Sequence, residues 1–184
     1  SRDGIIDDSD RMIIGNALPT YTGGLSTSFT YKNIGLFVSF YYSFGGQIYN
    51  YAEHQRNMFL YSSTTPSGHV INNIWTQQGD QALYPRPYND EYNNARYANS
   101  FYVEDADYIR LSNIRLSYDL PERWLKALRI KALQVYIFGN NLMTWTSYSG
   151  YDPEFSSSNP LQIGRDTYRY PMKREFGVGA NIKF

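Results

Sequence analysis

The sequence of 184 residues contains no cysteine, carries no net charge and has two histidines. The absence of cysteine excludes disulfides and thiolate metal sites but is compatible with any cellular compartment. Its 17 basic and 17 acidic residues balance, whereas nucleic-acid binders usually have a basic surface, so we expect no nucleic-acid partner. His54 and His69 lie too far apart in the sequence for a typical zinc site, so no metal or other cofactor is expected.

Long hydrophobic runs are also missing. A membrane-spanning helix needs about 20 consecutive apolar residues, and no segment of the sequence provides them. This excludes a helical membrane protein, and the opening residues SRDGIIDDSD do not have the pattern of a signal peptide. A transmembrane β-strand needs only about 9–11 residues, half of which are polar. A membrane β-barrel is therefore still compatible with the sequence.

Aromatic residues, in contrast, are abundant. The 19 Tyr, 10 Phe and 3 Trp make up 17% of the chain. Tyrosine in particular favours pleated sheets, wet binding sites and membrane interfaces, because its apolar ring carries a polar tip. The composition therefore indicates a β-protein with a binding surface, a membrane interface or both.

Five segments alternate apolar and polar side chains with the period of two that is typical of β-strands. They are residues 22–31, 34–44, 107–120, 131–144 and 173–184. The two-residue break Lys32-Asn33 predicts a hairpin, and a change of apolar phase near Ser112-Asn113 predicts a β-bulge. Residues 121–128 have the pattern of a short helical connector that begins with a proline. The predicted fold class is all-β with antiparallel strands.

The connections between these strands alternate short and long. Residues 45–106 and 144–172 form two long, polar connections, which indicates functional loops or an inserted lobe. Weakly capped helices are compatible with residues 48–61 and 70–78 of the first. Short turns at one end of the strands and long loops at the other are typical of outer-membrane barrels.

Alternation does not tell which face of the sheet meets water, because soluble sandwiches and membrane barrels both alternate. Segments 25–31, 34–44 and 133–143 contain no Asp, Glu, Lys or Arg, although soluble sheets usually carry charge, particularly on their edges. Aromatic residues near both ends of the strands match the two aromatic belts of a barrel. They are Tyr31, Tyr118, Trp124 and Phe184 on the short-turn side, and Phe44 and Trp145 on the other. This favours a barrel over the alternative, a soluble aromatic-rich carbohydrate-binding β-domain.

The closing segment REFGVGANIKF alternates strictly. Its apolar side chains are Phe176, Val178, Ala180, Ile182 and Phe184. We predict that this set faces lipid and that Gly177, Gly179 and Asn181 face the lumen. The smallest membrane barrels need about eight strands, and open edges are not tolerated in lipid. Five strands are therefore expected to be the last part of a larger barrel.

Four fragments of the sequence, in the right order, resemble one known family, the SusC/RagA-like TonB-dependent transporters of the Bacteroidota outer membrane. They are DRMIIGNALPTYTGGLSTSFTYKN, YIRLSNIRLSYDLPERWLKAL, LQVYIFGNNLMTWTSYSGYDPE and REFGVGANIKF. The resemblance implies the last five strands of a 22-stranded transmembrane barrel, with 45–106 and 144–172 as extracellular loops. It also implies that the closing strand, with Phe184 at its end, is a signal for the outer-membrane assembly machinery. The plug domain would lie outside this chain.

The resemblance further implies a function for the intact protein. The family imports oligosaccharides or peptides through the outer membrane, captures them together with a SusD-like lipoprotein, and is energised by TonB through an N-terminal region that would lie outside this chain. The protein is accordingly expected to be a transporter and not an enzyme. Which substrate it takes is not readable from this sequence.

Aromatic and charged side chains of the long connections are the predicted substrate- or partner-binding residues, because such residues are enriched in interfaces. They are Trp75, Tyr84, Arg86, Tyr88, Tyr92, Tyr151 and Asp152. The alternative, that they pack a small core within the loop, stays open. Asp152 and Glu154 also have the composition of a glycosidase pair, which leaves a secreted glycoside hydrolase fragment as a third hypothesis, but Asp152-Pro153 is better explained as turn chemistry.

Overall fold

The computed structural model describes residues 8–57, 68–84, 97–126, 130–154 and 162–184. Its strands are β1 (Tyr21–Tyr31), β2 (Ile34–Phe44), β3 (Gln47–Tyr49), β4 (Val103–Asp105), β5 (Tyr108–Asp119), β6 (Ala132–Thr146) and β7 (Glu175–Lys183). Its helices are α1 (Tyr51–Asn57), α2 (Gly68–Ile71) and α3 (Glu122–Leu125), with 3-10 turns at Asp8–Asp10 and Ser100–Tyr102. Among the described residues, no helix is long and apolar enough to cross a membrane.

Five of the strands form one antiparallel sheet in the order β1-β2-β5-β6-β7. The prediction of five antiparallel strands is confirmed, and the bounds differ from the expected ones by a few residues at most. The segment predicted as a short helical connector contains α3, with Pro121 just before its first turn as the N-cap. Of the two segments where helices were considered, the described part of the first (residues 48–57) contains the short α1, and the second overlaps the short α2 only at residues 70–71. Residues 58–61 lie outside the described part of the chain.

The hairpin between β1 and β2 closes through the two-residue turn Lys32-Asn33, as predicted. Lys32 takes a positive φ of 53°, a left-handed conformation that tight hairpin turns require. The Asn33 side chain donates a hydrogen bond to the Asp119 carbonyl at 2.8 Å, so the turn is also tied to the end of β5. This end of the sheet is therefore compact.

A β-bulge interrupts β5 at Ser112, where the phase change predicted one. Ser39 and Phe40 of β2 are paired with Asn113 and Leu111, which leaves Ser112 as an extra residue. Its hydroxyl donates to the Ser39 carbonyl at 2.9 Å. The extra residue shifts the side-chain alternation by one position, so that apolar residues on both sides of the bulge share one face of the sheet.

The two faces of the sheet differ sharply in chemistry. The register aligns an apolar row across all five strands, formed by Phe29, Leu36, Leu116, Ile137 and Val178. The next row lies on the opposite face and consists of Thr30, Gly35, Ser117, Tyr136 and Gly179. The apolar row is open: Val178 is 81% exposed and Phe29 62%. The sheet therefore leaves its hydrophobic side exposed, without a covering layer among the described residues.

The chain divides into two compact units. The sheet unit comprises Leu18–Gly46, Asp105–Glu154 and Tyr170–Phe184, and the loop lobe comprises Ser1–Ala17, Gln47–Glu104 and Phe155–Arg169. Within the loop lobe, Tyr49 and Arg165 form a parallel β-bridge, with the Tyr49 amide donating to the Gly164 carbonyl at 2.7 Å. Ile48 and Val70 are fully buried there, so the long connection has a small core of its own.

Candidate functional site

The polar face of the sheet carries a network of side-chain hydrogen bonds. The Arg115 guanidinium lies 3.8 Å from the centre of the Tyr136 ring and donates to Gln134 at 3.0 Å. Gln134 in turn donates to Asp119 at 2.9 Å and accepts from Asn181 at 3.3 Å. A stacked, hydrogen-bonded arginine is held in one orientation, so this face offers a preformed cation among polar groups.

A second chain of polar contacts runs across the same face nearer the bulge. Asn113 donates to Asn140 at 2.6 Å, and Asn140 donates to Glu175 at 3.3 Å. Lys173 completes the chain with an ion pair to Glu175 at 3.1 Å. Because these side chains form hydrogen bonds and an ion pair with one another, the polar face is ordered. Polar faces of this kind line the aqueous lumen of membrane barrels.

Two aromatic rings of β6 cover the glycines of β7 on this polar face. A Cβ added at Gly177 would lie 2.5 Å from two atoms of the Phe138 ring, and one at Gly179 would collide with the Tyr136 ring. Such packing of an aromatic ring over a cross-strand glycine is a known device for fixing strand register. The glycines therefore relieve crowding beneath the rings.

The apolar face ends in aromatic residues on both sides. Tyr31, Trp124 and Phe184 are 71%, 55% and 77% exposed at the short-turn end, and Trp145 is 45% exposed at the other. Trp145 and Phe40 place their ring centres 6.4 Å apart. Exposed aromatic residues on either side of an apolar band are the arrangement of a membrane-facing barrel wall. The orientation of Phe176, Val178, Ala180, Ile182 and Phe184 toward lipid remains a prediction.

A buried arginine anchors the segment that follows β6. Arg110 is 2% exposed and forms ion pairs with Asp152 at 2.5 Å and Glu154 at 2.6 Å. Its Nε donates to the Thr144 hydroxyl at 3.0 Å, and its guanidinium lies 5.2 Å from the centre of the Tyr108 ring. We call Arg110, Asp152 and Glu154 the arginine latch.

Asp152 also organises the backbone around the latch. Its Oδ1 accepts the Glu154 amide at 2.9 Å, which is the turn chemistry expected for an Asp-Pro sequence, and its Oδ2 accepts the Met172 amide at 2.8 Å. Both carboxylates of the suspected glycosidase pair thus bind one guanidinium. A structural role accounts for the pair. Arg110 was not recognisable from the sequence because its two carboxylate partners lie 42 and 44 residues away.

The loop lobe contains a chain of aromatic and histidine rings. Its members are Tyr49, Tyr51, His54, His69, Tyr84, Phe101 and Tyr102, with neighbouring ring centres 4.7–6.4 Å apart. The Tyr49 hydroxyl lies 2.7 Å from His54 Nδ1. Burial raises the pKa of Tyr49 to about 12 and also raises the pKa of Tyr84 and of Tyr102. These hydroxyls therefore stay neutral at physiological pH.

The four predicted binding residues that the structure describes occupy different kinds of position. Tyr84 is 6% exposed within the ring chain, whereas Tyr151 is 76% exposed and Asp152 belongs to the arginine latch. Trp75 is 36% exposed and immediately precedes a turn in which Asp80 accepts the Thr76 and Gln77 amides. The Thr76 hydroxyl also donates to the Asp80 carboxylate at 2.6 Å, and this bond together with the two amide hydrogen bonds lowers the pKa of Asp80. Arg86, Tyr88 and Tyr92 lie outside the described residues.

The described part of the chain contains no group of three or more His, Asp or Glu residues that could hold a metal ion. His54 and His69, the two histidines of the sequence, instead contact tyrosine rings. The lobe thus offers rings, amides and a few charged side chains for binding.

Known proteins similar to this chain are large receptors. No family model matches the sequence. TonB-dependent receptor P39 of Formosa agariphila is 36% identical over 96% of this chain and 17% of its own length, and TonB-dependent receptor P3 of the same bacterium is 35% identical over 98% and 18%. TonB-dependent receptor SusC of Bacteroides thetaiotaomicron is 24% identical over 98% of this chain and 17% of its own length.

Solved structures give the same result for the fold. The RagAB peptide importer in its closed-closed state matches 94% of this chain and 18% of its own chain, with a TM-score of 0.78 and 24% identity. Its open-open state matches with a TM-score of 0.74 and 23% identity over the same shares. This chain thus has the fold of part of the RagAB importer chain that it matches.

This chain spans less than a fifth of the length of these relatives. Within that span, the similarity extends over nearly all of its residues. The sequence similarity identifies the chain as a homologue of one segment of the TonB-dependent receptors P39 and P3 of Formosa agariphila.

Proposed function

We propose that this chain supplies five strands and two extracellular loops to an outer-membrane importer that takes up oligosaccharides or peptides. The observation that carries the proposal is the two-faced sheet of a chain homologous to TonB-dependent receptors. One face is apolar and open, as a lipid-facing wall must be, and the other is a hydrogen-bonded polar wall suited to a lumen. A soluble carbohydrate-binding domain would have to cover the apolar face.

The proposed role as an importer implies two protein partners, TonB and a SusD-like lipoprotein. Import requires energy from TonB, delivered to a plug domain outside this chain, and capture of the substrate involves a SusD-like lipoprotein above the barrel. The exposed Tyr151 and the Trp75 turn are surfaces in the loops that such a lipoprotein or the substrate could contact. The importer is not an enzyme, and its substrate class is an oligosaccharide or a peptide.

The proposal is tested by uptake in the native host. We expect that deletion of the full-length gene abolishes growth on one oligosaccharide or peptide mixture as the sole nutrient and leaves growth on the free sugars or amino acids unchanged. Collapsing the proton-motive force should stop uptake of the same compound in the wild type. Affinity purification of the tagged protein in detergent should recover a lipoprotein with it.

A matched control separates transport from membrane damage. The deletion strain should exclude a large antibiotic as well as the wild type does. Unchanged growth on every oligosaccharide and peptide tested, or a full-length protein that stays soluble without detergent, would contradict the proposal.

A further inference from the structure

The loop lobe contains a cavity whose lining carries a single formal charge. The cavity has a volume of about 510 Å³. Its lining residues include Ile48, Val103, Tyr51, His54, Gln47 and Arg165. No Asp or Glu is among the described residues that line it, so Arg165 gives this lining a positive character. Apolar, aromatic and polar groups converge here, as they do in binding sites for small organic molecules.

The Arg165 guanidinium is held in place without an acidic partner in the described part of the chain. It stacks on the Tyr51 ring at 3.5 Å from the ring centre. Among the described residues, its buried Nε has no hydrogen-bond partner, and no ion pair joins Arg165 to an acidic side chain. A buried donor left unsatisfied costs about 1–3 kcal/mol, more when the group is charged, so a bound ligand that accepts a hydrogen bond from this group would be stabilising.

The backbone on both sides of Arg165 is held in a defined conformation. Gly164 has a φ of 78°, and a Cβ there would collide with Ala17. Tyr49 pairs with both neighbours of Arg165, donating to the Gly164 carbonyl at 2.7 Å and accepting the Asp166 amide at 3.0 Å. The arginine is therefore fixed by backbone bonds on both sides, which makes the cavity preformed.

We propose that this cavity binds a carboxylate group of the imported compound, with Arg165 as the residue that recognises the charge. A guanidinium presents paired N–H donors in a plane that matches a carboxylate, and the apolar lining accommodates the uncharged part of the ligand. The carboxylate belongs either to a uronic acid unit of an oligosaccharide or to the terminus of a peptide. This inference rests on the proposed function and narrows its substrate class.

Binding to the purified full-length protein in detergent tests the inference separately from import. The probes are a glucuronic acid disaccharide against a glucose disaccharide, and a tripeptide with a free carboxyl terminus against its amidated form. We expect the charged member of at least one pair to bind the wild type at least tenfold more tightly than its neutral counterpart. The pair that shows this difference identifies the source of the carboxylate.

Substitutions assign the preference to the cavity. Arg165→Gln should abolish the difference between the two members of the pair, and Arg165→Lys, which keeps the charge without the planar donors, should retain part of it. Arg174→Gln removes an equal charge from an exposed position and should leave the preference unchanged. Equal binding of charged and neutral probes by the wild type, or a preference that survives Arg165→Gln, would overturn the inference. Normal uptake in the host alongside either result would leave the proposed function standing.

Discussion

At the residue scale, the arginine latch determines how firmly the segment after β6 is held. Replacing Arg110 by Gln leaves the Asp152 carboxylate largely buried without its cation, and removing one partner of a buried ion pair costs about 3–5 kcal/mol. Since about 1.4 kcal/mol is a factor of ten, the open form of this segment should become roughly 100-fold more populated or more. Limited proteolysis of the purified full-length protein should then cut between β6 and β7 much faster.

An exposed ion pair in the same unit provides the matched control. The Lys173 side chain is 85% exposed and pairs with Glu175, and such surface pairs contribute about 0–1 kcal/mol. Lys173→Gln should therefore change the rate of cleavage little. If the Arg110 and Lys173 variants are cut at the same rate, the latch does not hold the segment.

Long-range pairs of this kind are what the sequence could not reveal. The GYDPE segment shows a turn through Asp152-Pro153, and that local feature was predictable from residue types alone. The cation that binds its carboxylates is on a different strand, and only the fold brings the two together. The same reasoning applies to Arg165 and Tyr51, whose contact depends on two distant segments of the loop lobe.

At the scale of elements, the closing strand β7 allows the two faces of the sheet to be compared directly. We expect Val178→Lys to impair assembly of the full-length protein in the outer membrane, because a lysine on the lipid face costs about 2–4 kcal/mol near the bilayer midplane. Asn181→Lys places the same charge on the polar face, beside Gln134, and should be tolerated. The yield of folded, heat-modifiable protein in the outer membrane measures both effects.

Asn181 is a better control on the polar face than the glycines of β7. Charges at Gly177 or Gly179 would also probe the polar face, but any side chain there collides with the ring of Phe138 or Tyr136. Their effect would report crowding and not polarity. Equal assembly of the Val178 and Asn181 variants would contradict the orientation of the sheet proposed here.

The strands were predictable from the sequence because the alternation of apolar and polar residues in a strand is a local pattern. A period of two needs no knowledge of partners, and even the bulge at Ser112 was visible as a change of phase in β5. The loop lobe gives no such signal. Its helices α1 and α2 are short, and its core arises from rings such as Tyr84 and Tyr102 that lie in separate segments. The sequence therefore indicated that a lobe is present, but it did not indicate how the helices and rings of that lobe are arranged.

At the scale of the whole molecule, the sheet has two outer strands, β1 and β7, that pair on one side only within the described residues. Unpaired backbone groups are not tolerated in lipid, so a membrane sheet must close into a barrel. In the full-length protein, both outer strands should therefore pair with further strands. In β1 and β7, every second backbone amide points away from the neighbouring strand, β2 or β6. These outward amides are hydrogen-bonded if the sheet is closed and unbonded if its edges are open.

Hydrogen exchange on the full-length protein in detergent measures these amides directly. We expect the outward amides of β1 and β7 to exchange as slowly as those of the central strand β5, because closure gives each of them a partner. The inward amides of the same two strands serve as the internal reference, since they are bonded in either case. Fast exchange confined to the outward set would show an open edge, and a sheet with open edges and an exposed apolar face could not span a membrane.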